Sequence, residues 1–535
     1  MSASGAEERS SSLRGGAFRA MNHQPPPKRN PVSSIVTTFQ YLFIPGRDAA
    51  YFYWVLGAIT LVGLVMRVWK INDPIAYDEA YTFIHFATRE FKHILADYSA
   101  PNNHIFHTIL VRLSYELFGD RPWIVRVPAF LAGTLSIPAA YFAARRIFDP
   151  NQSLAGAALV ALTPWFIGYS ANGRGYTLIM LFSLLLFNLG ALLLREQDRT
   201  ALAAYAITAA LGFYTIPIFL YPMAGVSLWV LSNYLIEDQP NKDKSSRIWT
   251  FLTTCALAGL LTLLLYSPVI IFGTGLDSIT SNEFVESRDG AMFVENIYPR
   301  LTRTWQSWMQ GIPQPVEYLL AGGFLLSLLF HRKAFRQRLS LPIFLVLAVA
   351  ILLFIQQVAP LARVWMYLEA FYLIFAGAGL VWLSELLLDR IVKSSYTARI
   401  IPALVLVAVL GVFLSQFFST QQGSAVANRD ALPEQYAAEY LASHLQPGDK
   451  ILSLAPVDIQ TAYYLHMNGV PYDVFYQRDH PVEVRNAVIV LRTNSRYNTP
   501  ETVLDFYRVT SDFDLEAVRL LYEYGPVNIF SIPAR

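Results

Sequence analysis

The sequence predicts an all-α polytopic membrane protein that ends in a small α/β domain. Only 15% of the 535 residues are charged and 54% are hydrophobic, with a mean hydropathy of +0.36. An ordinary soluble chain is about 25% charged. Apolar runs of about twenty residues, long enough to cross a bilayer as helices, recur between residues 50 and 418. After residue 419 charged residues return, which indicates a separate, water-exposed domain.

The apolar runs predict about eleven transmembrane helices, within a range of nine to thirteen. They occupy residues 50–69, 123–143, 153–169, 177–194, 201–218, 219–236, 248–272, 319–330, 340–358, 364–388 and 400–418. The segment HIFHTILVRLSYELFG (104–119) is also apolar, but counting it as a span would reverse the side of every later loop. We therefore expect an interfacial or re-entrant helix there.

Basic residues predict the orientation, because cytoplasmic loops carry an excess of Lys and Arg. Clusters such as Arg145–Arg146 and HRKAFRQR (331–338) fall on the same side as the amino terminus when each run crosses once. The loops 70–122 and 273–318 and the domain 420–535 fall on the opposite side. The pattern predicts a multi-pass plasma-membrane protein with a cytoplasmic amino terminus and an extracytoplasmic carboxy-terminal domain.

The two ends of the chain complete the domain prediction. Residues 1–49 are rich in Ser, Pro and Arg and contain no apolar core of a cleavable signal peptide, so we expect a disordered cytoplasmic tail. Residues 50–419 form the predicted transmembrane domain. In residues 420–535, helical patterns at 433–445 and 458–467 alternate with short strands, among them the buried strands AVIVLR (487–492) and VNIFSI (527–532). This alternation predicts the α/β domain.

The composition also limits the chemistry. A net charge of +2 gives no indication of nucleic-acid binding, and the single cysteine, Cys255, excludes disulfide frameworks and cysteine metal sites. Cys255 lies in an apolar run and is expected to be a buried small residue. His104 and His107 are expected to be hydrogen-bonded polar residues rather than metal ligands. We predict no required cofactor. Whether the protein needs a divalent cation stays open.

Polar residues on the predicted outer face indicate chemistry on a phosphate. Asp78 and Glu79 follow the first span in AYDEAY, Arg174 lies between two glycines in SANGRGYTL, and Arg363 lies in a short link between spans. A carboxylate can act as a general base, and arginines bind phosphate oxygens bidentately. No nucleotide-binding motif, neither GxxxxGK[ST] nor a strand–GxGxxG–helix pattern, is present. Transfer of a sugar from a lipid phosphate would need these groups.

Each of these residues also has a purely structural interpretation. An acidic pair after a span is often a solvated loop start, and Arg174 could extend from a helix end to the interface. Arg363 could anchor the chain at the same boundary. Glu369 lies inside an apolar run, where a carboxylate is costly and faces a cavity or a partner, with Arg363 as a candidate.

Four stretches resemble the polytopic GT-C glycosyltransferases, a superfamily that includes protein mannosyltransferases, aminoarabinose transferases and Rgt-type galacturonosyltransferases of the lipopolysaccharide core. They are AYDEAYTFIHFATREF (76–91), RLSYELFGDRPWIVRVPAFLAGTLSIPAAYFAARRIF (112–148), LTPWFIGYSANGRGYTL (162–178) and ARVWMYLEAFYLIFAGAGL (362–380). The resemblance covers residues 50–390 and implies the GT-C fold.

The resemblance implies transfer of a monosaccharide from a polyprenyl-phosphate donor on the extracytoplasmic face. Asp78 matches the family's catalytic aspartate, with Glu79 beside it, and Arg174 stands where the family has a basic residue. His104 follows Asn102 and Asn103 where some members have Lys-Pro-Pro or His-Pro-Pro near the donor phosphate. This sequence has neither a lysine nor a double proline there, and SANGRGY lacks the family's usual acid.

We therefore predict a lipid-phosphate-dependent hexosyl- or pentosyltransferase of the cell envelope, acting in protein glycosylation or on lipopolysaccharide. Its partners would be membrane lipid, a polyprenyl-phosphate sugar, and a glycan, lipid or protein acceptor, without nucleic acid. The candidate catalytic residues are Asp78 and Glu79. The candidate donor-phosphate ligands are Arg174, Arg363 and His104, and the candidate substrate-binding residues are Tyr77, Tyr81, Asn102, Asn103 and Tyr176. A solute transporter or lipid flippase and a non-catalytic glycan-binding protein are the alternatives.

Overall fold

The computed structural model describes residues 31–43, 48–236, 241–280, 290–334, 339–391, 411, 413–415, 432–477 and 484–535. The predicted fold class is confirmed, because a helical body is followed by one small sheet. The helices of the body are α1 (Pro31–Phe43), α2 (Ala50–Lys70), α3 (Tyr77–Thr82), α4 (Phe91–Ala96), α5 (Ile105–Phe118), α6 (Pro122–Ala144), α7 (Pro150–Leu162), α8 (Pro164–Ser170), α9 (Tyr176–Arg195), α10 (Arg199–Thr215), α11 (Leu220–Ile236), α12 (Asn241–Phe272), α13 (Asp277–Thr280), α14 (Gly290–Trp308), α15 (Gln314–Ala334), α16 (Leu341–Gln356) and α17 (Met366–Ile391).

The first ten apolar runs are helical, with 153–169 divided between α7 and α8, and the eleventh, 400–418, lies largely outside the described residues. Six helices in the described part of the chain are long and apolar enough to span a membrane. A seventh span results if α7 and α8 are counted together. This pair bends by 58° at Pro164, which has no backbone N–H to continue the helix. The predicted count of about eleven is not confirmed.

The predicted tail, residues 1–49, and the short apolar segment 104–119 both contain helices. Within the predicted disordered region 1–49, residues 31–43 form α1, which packs against α9 and α10, so the prediction of disorder is wrong for these residues. Residues 1–30 lie outside the described part. The segment 104–119 forms α5, whose 14 residues lie below the length of a membrane span.

Helix α17 lies at the centre of the body and packs closely on α7 and α15. A Cβ added to Gly156 would lie 2.9 Å from the Cα of Ile374, and one added to Gly323 would lie 2.5 Å from the carbonyl oxygen of Ala376. Small residues allow such backbone approach between membrane helices. Because α17 continues directly from the turn 362–365, this packing also fixes the position of Arg363.

A buried arginine joins the first span to the α7–α8 pair. The Arg67 guanidinium donates hydrogen bonds to the hydroxyl of Ser170 (3.0 Å) and to the carbonyls of Gly63 (2.9 Å) and Ala161 (2.8 Å). Gly133 of α6 leaves room for Ser170, because a Cβ there would lie 2.0 Å from the Ser170 hydroxyl. Polar contacts of this kind hold membrane helices together where lipid cannot satisfy them.

The carboxy-terminal domain has the predicted α/β architecture. Its elements are α18 (Pro433–His444), β1 (Asp449–Ser453), α19 (Asp458–Met467), β2 (Asn486–Arg492), α20 (Pro500–Tyr507), β3 (Arg519–Tyr524) and β4 (Val527–Pro533). The strand order is β1-β2-β4-β3, with β1 and β2 parallel and the other pairs antiparallel. Strands β2 and β4 were predicted, whereas β3 was not, because its residues are mostly exposed and lack a buried run.

Helix α19 contacts the segment that precedes Asp78. Gln460 donates to the carbonyl of Ile75 (2.8 Å), and the backbone N–H of Ile75 donates to the hydroxyl of Tyr464 (3.3 Å). Tyr463 donates to the carbonyl of Asp120 at the other end of the same loop. The carboxy-terminal domain thus holds both ends of the loop 70–122.

Candidate active site

Asp78 lies in the first turn of α3 between two arginines. Its Oδ2 atom is 2.7 Å from Nη1 of Arg174 and 3.2 Å from Nη1 of Arg363. The Asp78 side chain is 37% exposed, whereas that of Arg174 is only 3% exposed. The predicted carboxylate and both predicted arginines therefore meet, and Asp78 and Arg363, which is 31% exposed, are the members that face open space.

Glu79, the second predicted catalytic acid, is fully buried and has a structural role. Arg126 of α6 donates to both of its carboxylate oxygens, from Nε at 2.8 Å and from Nη2 at 2.7 Å. The backbone N–H groups of Ala76 and Gly173 donate to the same carboxylate. Because every contact comes from within the chain and no surface is exposed, the prediction of a catalytic Glu79 is corrected to a positioning residue.

The glycines on either side of Arg174 explain the GRG sequence. Gly173 donates its N–H to Glu79, and Gly175 donates its N–H to Nδ1 of His104 at 2.9 Å. An added Cβ would lie 2.9 Å from Val125 at Gly173 and 2.6 Å from Thr215 at Gly175. The two hydrogen-bonded glycines therefore fix the backbone on both sides of Arg174. This places the Arg174 guanidinium next to Asp78.

His104 is buried beside Arg174 as a neutral ring. Burial, reinforced by Arg174, His107 and Arg363, holds the pKa of His104 well below its usual range. Since Nδ1 accepts from Gly175, the ring proton lies on Nε2, which is 3.3 Å from Nη2 of Arg174. Two donors thus face each other, and an acceptor such as a phosphate oxygen would satisfy both.

Tyr176 connects the two arginines. The guanidinium carbons of Arg174 and Arg363 lie 5.6 and 5.7 Å from its ring centroid, within the range of cation–π contacts. The His104 ring packs edge-on against Tyr176 at 5.2 Å, and Tyr169 packs edge-on at 5.7 Å. These aromatic rings hold the arginines apart and pointed at Asp78.

The four other predicted substrate-binding residues lie outside this cluster. The Tyr77 hydroxyl lies 3.5 Å from Asp458 of α19, so the side chain faces the carboxy-terminal domain. Asn103 is buried and donates to the carbonyls of Ile94 and Asp97. Asn102 accepts a hydrogen bond from Thr82 through its backbone carbonyl (3.1 Å). These contacts shape the loop, and the assignment of the three residues to substrate binding stays a prediction.

Tyr81 lines a separate cleft of about 420 Å³. Its ring lies 4.4 Å from that of His85, and the walls of the cleft also include Arg89, Lys92 and His93. Within the described residues, no group of three or more His, Cys, Asp or Glu side chains forms a candidate metal site. The walls combine aromatic rings with charges of both signs, because Glu90 lies 2.7 Å from Lys92 and Asp97 lies 3.0 Å from His93.

Arg126 is a site residue that the sequence pattern alone did not indicate. Beyond Glu79, it donates to the carbonyls of Ile71 (3.0 Å), Asp73 (2.5 Å) and Pro74 (2.9 Å), and so holds the turn after the first span. An arginine at the start of an otherwise apolar run was the available signal, because a charge at such a position needs a partner.

His107 gives a testable pH dependence. It lies in α5, outside the spans, is fully buried, and neither ring nitrogen has a partner among the described residues. Burial, with a contribution from Arg174, lowers the pKa of His107 to about 3. Between pH 6.5 and this value the unfolded chain binds a proton that the folded chain excludes, so stability falls as pH falls. At pH 5.0 the loss amounts to about 2 kcal/mol.

We expect the apparent Tm of the purified protein to fall by several degrees between pH 7.5 and 5.0, and His107→Leu to lose a measurable part of this fall. The exposed His444 is the matched control, and His444→Leu should follow the wild type. Equal pH slopes for wild type and His107→Leu would contradict the neutral buried ring.

Comparison with known proteins adds a family match and several structural matches. Residues 102–272 match the family of dolichyl-phosphate-mannose-protein mannosyltransferases. No curated protein matches the sequence significantly. ArnT from Cupriavidus metallidurans, in the apo state, superimposes with a TM-score of 0.62 at 15% identity, covering 90% of this chain and 98% of that chain.

Two further solved structures share the architecture. The oligosaccharyltransferase AglB from Archaeoglobus fulgidus matches with a TM-score of 0.51 at 13% identity, over 82% of this chain and 69% of that chain. The arabinofuranosyltransferase AftD from Mycobacteria matches with a TM-score of 0.50 at 16% identity, over 90% of this chain and 41% of that chain. The protein therefore has the fold of the GT-C glycosyltransferase superfamily.

Proposed function

We propose that this protein transfers a monosaccharide from a polyprenyl-phosphate carrier to an acceptor at the extracytoplasmic face of the plasma membrane. The observation that carries the proposal is the exposed carboxylate of Asp78 between the guanidinium groups of Arg174 and Arg363. In this proposal a general base and two phosphate ligands lie within one cluster of ion pairs. These are the groups that displacement of a phosphate from a sugar requires.

In the proposed reaction, a hydroxyl or amine of the acceptor attacks C1 of the sugar. The bond between C1 and the phosphate oxygen breaks, and the electron pair leaves on the polyprenyl phosphate. Asp78 takes the proton of the attacking group and later releases it to water. One displacement inverts the configuration at C1. An α-linked donor therefore gives a β-linked product, and a β-linked donor gives an α-linked product.

The charges around Asp78 favour an anionic leaving group. Arg174 and Arg363 contribute two positive charges against one negative charge of Asp78, and the buried Arg126–Glu79 pair is neutral overall. A phosphate oxygen between Arg174 and His104 would accept from both donors. Arginine binds phosphate through paired N–H groups, and this interaction strengthens as charge accumulates on the leaving oxygen.

The structural matches support this type of donor. A second structure of ArnT from Cupriavidus metallidurans, with undecaprenyl phosphate bound, matches with a TM-score of 0.59 at 14% identity. The matching AglB structure contains a dolichol-phosphate and an inhibitory peptide. For this chain we propose a polyprenyl phosphate in the same role, with a glycan, lipid or protein as the acceptor.

The cleft beside Tyr81 is the proposed entrance for the acceptor. Tyr81 follows Asp78 by three residues on α3, so the two side chains lie on neighbouring positions of one helical turn. The cleft presents aromatic rings and charges of both signs, with Lys92 paired to Glu90, which suit an acceptor that stacks a sugar ring and hydrogen-bonds through its hydroxyls.

A reconstitution assay tests the proposal. The purified protein in liposomes receives polyprenyl-phosphate glycosides together with a cell-envelope extract. We expect release of free polyprenyl phosphate that depends on the acceptor, and the appearance of the sugar on one envelope component. Movement of the intact glycoside across the bilayer without cleavage would instead indicate a flippase and would overturn the proposal.

A further inference from the structure

Glu369 is a buried carboxylate that the proposed reaction does not use. It lies in the first turn of α17, is 1% exposed, and neither carboxylate oxygen has a partner among the described residues. In particular, it does not form the ion pair with Arg363 that the sequence suggested. A carboxylate inside a membrane domain is costly unless it serves a ligand or a partner, so an unpartnered one indicates a binding site.

An aromatic cluster surrounds the same face of α17. Tyr372 follows Glu369 by three residues, so both project from one side of the helix. The Tyr372 ring lies 5.7 Å from that of Trp305 and 6.3 Å from that of Trp308. The hydroxyl of Tyr372 and Nε1 of Trp308 are buried without a partner in the described part of the chain.

Some polar groups of this aromatic cluster do have hydrogen-bond partners. Trp305 donates from its Nε1 to the carboxylate of Glu317 in α15. Glu369, Tyr372 and Trp308 therefore form a subset with two acceptor oxygens and two donor groups available. Aromatic walls with a few hydrogen-bonding groups suit a ring that has apolar C–H faces and hydroxyl edges, which is the chemistry of a sugar.

This subset lies close to the phosphate ligands. The turn 362–365, which carries Arg363, leads directly into α17, and α14, which ends at Trp308, packs against that turn. Six residues separate Arg363 from Glu369, a rise of about 9 Å along a helix. Glu369 therefore lies less than two helical turns from Arg363, with the two side chains about 120° apart around the helix axis.

We propose that Glu369, Tyr372 and Trp308 form the subsite that binds the sugar ring of the donor. Glu369 accepts hydrogen bonds from two ring hydroxyls, and Tyr372 and Trp308 donate to ring or hydroxyl oxygens. The ligand class is an uncharged monosaccharide with several free hydroxyls on a polyprenyl phosphate. The inference rests on the proposed function and makes Glu369 a specificity-determining residue for it.

A binding experiment with the full chain in nanodiscs tests the subsite. The probes are decaprenyl phosphate and its glycosides that carry glucose, mannose, galactose or arabinose. We expect wild type to bind one glycoside at least 10-fold more tightly than bare decaprenyl phosphate. Glu369→Gln should remove this preference while changing the binding of bare decaprenyl phosphate by less than 2-fold.

Further variants keep the test independent of folding. Tyr372→Phe and Trp308→Phe each remove one donor while keeping an aromatic ring, and should reduce the preference 3-fold or more. Arg363→Gln is the control variant. It should weaken the binding of the glycosides and of bare decaprenyl phosphate to the same extent. An undiminished preference in both Glu369→Gln and Tyr372→Phe would overturn the subsite, as would equal weakening of both ligand types by Glu369→Gln.

The two proposals fail in different ways. Wild type that binds neither decaprenyl phosphate nor any glycoside contradicts the proposed function, and the subsite falls with it. Wild type that binds bare and glycosylated lipid equally contradicts the subsite alone, because the phosphate is then recognised and the sugar is not.

Discussion

Asp78→Asn is expected to reduce the rate of sugar transfer by at least about 10³-fold while the protein stays folded. Asparagine keeps the shape of the side chain but cannot accept the proton of the attacking group. The Asp78 side chain is 37% exposed, and the asparagine that replaces it keeps an oxygen that can accept from the buried Arg174 guanidinium. The measurement is kcat with the donor glycoside identified by the reconstitution assay, together with the apparent Tm.

The donor should still bind to this variant. With the negative charge of Asp78 removed, Arg174 and Arg363 face the phosphate without competition, so KM for the donor should stay equal or fall. Asp73→Asn is the matched control, since Asp73 lies in the same loop and its carboxylate pairs with Lys70 (2.9 Å). Turnover close to wild type in Asp78→Asn would refute the role of Asp78 as the base.

Arg126→Met is expected to destabilise the protein by about 3–5 kcal/mol, because it leaves the buried carboxylate of Glu79 without its ion-pair partner. The same change removes the hydrogen bonds that hold the carbonyls of Ile71, Asp73 and Pro74. The apparent Tm should fall strongly, and transfer should be lost because Asp78 is one residue from Glu79. Thermal unfolding and the transfer assay on the same preparation measure both effects.

A double variant separates charge from geometry. In Glu79→Gln/Arg126→Met the buried ion pair is removed, and the substituted glutamine side chain keeps an oxygen that can accept from Ala76 or Gly173. We expect this protein to be more stable than Arg126→Met alone but to stay inactive, because the turn that carries Asp78 is no longer held. A double variant no more stable than the single one would show that the buried pair is not what stabilises the loop.

The helices of the membrane domain were predictable from local sequence. Burial in lipid requires about twenty consecutive apolar residues, so each run from 50–69 to 364–388 identified a helix. The helix α1 within the predicted disordered tail was missed, because the polar composition of residues 1–30 extended the prediction of disorder too far. Strand β3 was missed because RLLYEY is held by pairing with β4 rather than by burial.

The sequence by itself determined that this is a helical membrane protein with an α/β domain, because hydropathy and strand patterns are properties of short segments. The distribution of basic loops also predicted that Asp78, Arg174 and Arg363 lie on one face. Only the tertiary structure decided the roles of the two adjacent acids. Arg126, 47 residues away, neutralises Glu79 and buries it, whereas Arg174 and Arg363 leave Asp78 exposed. The solvation and partners of a carboxylate are set by distant residues, so the two acids in AYDEAY could not be distinguished before the fold was known.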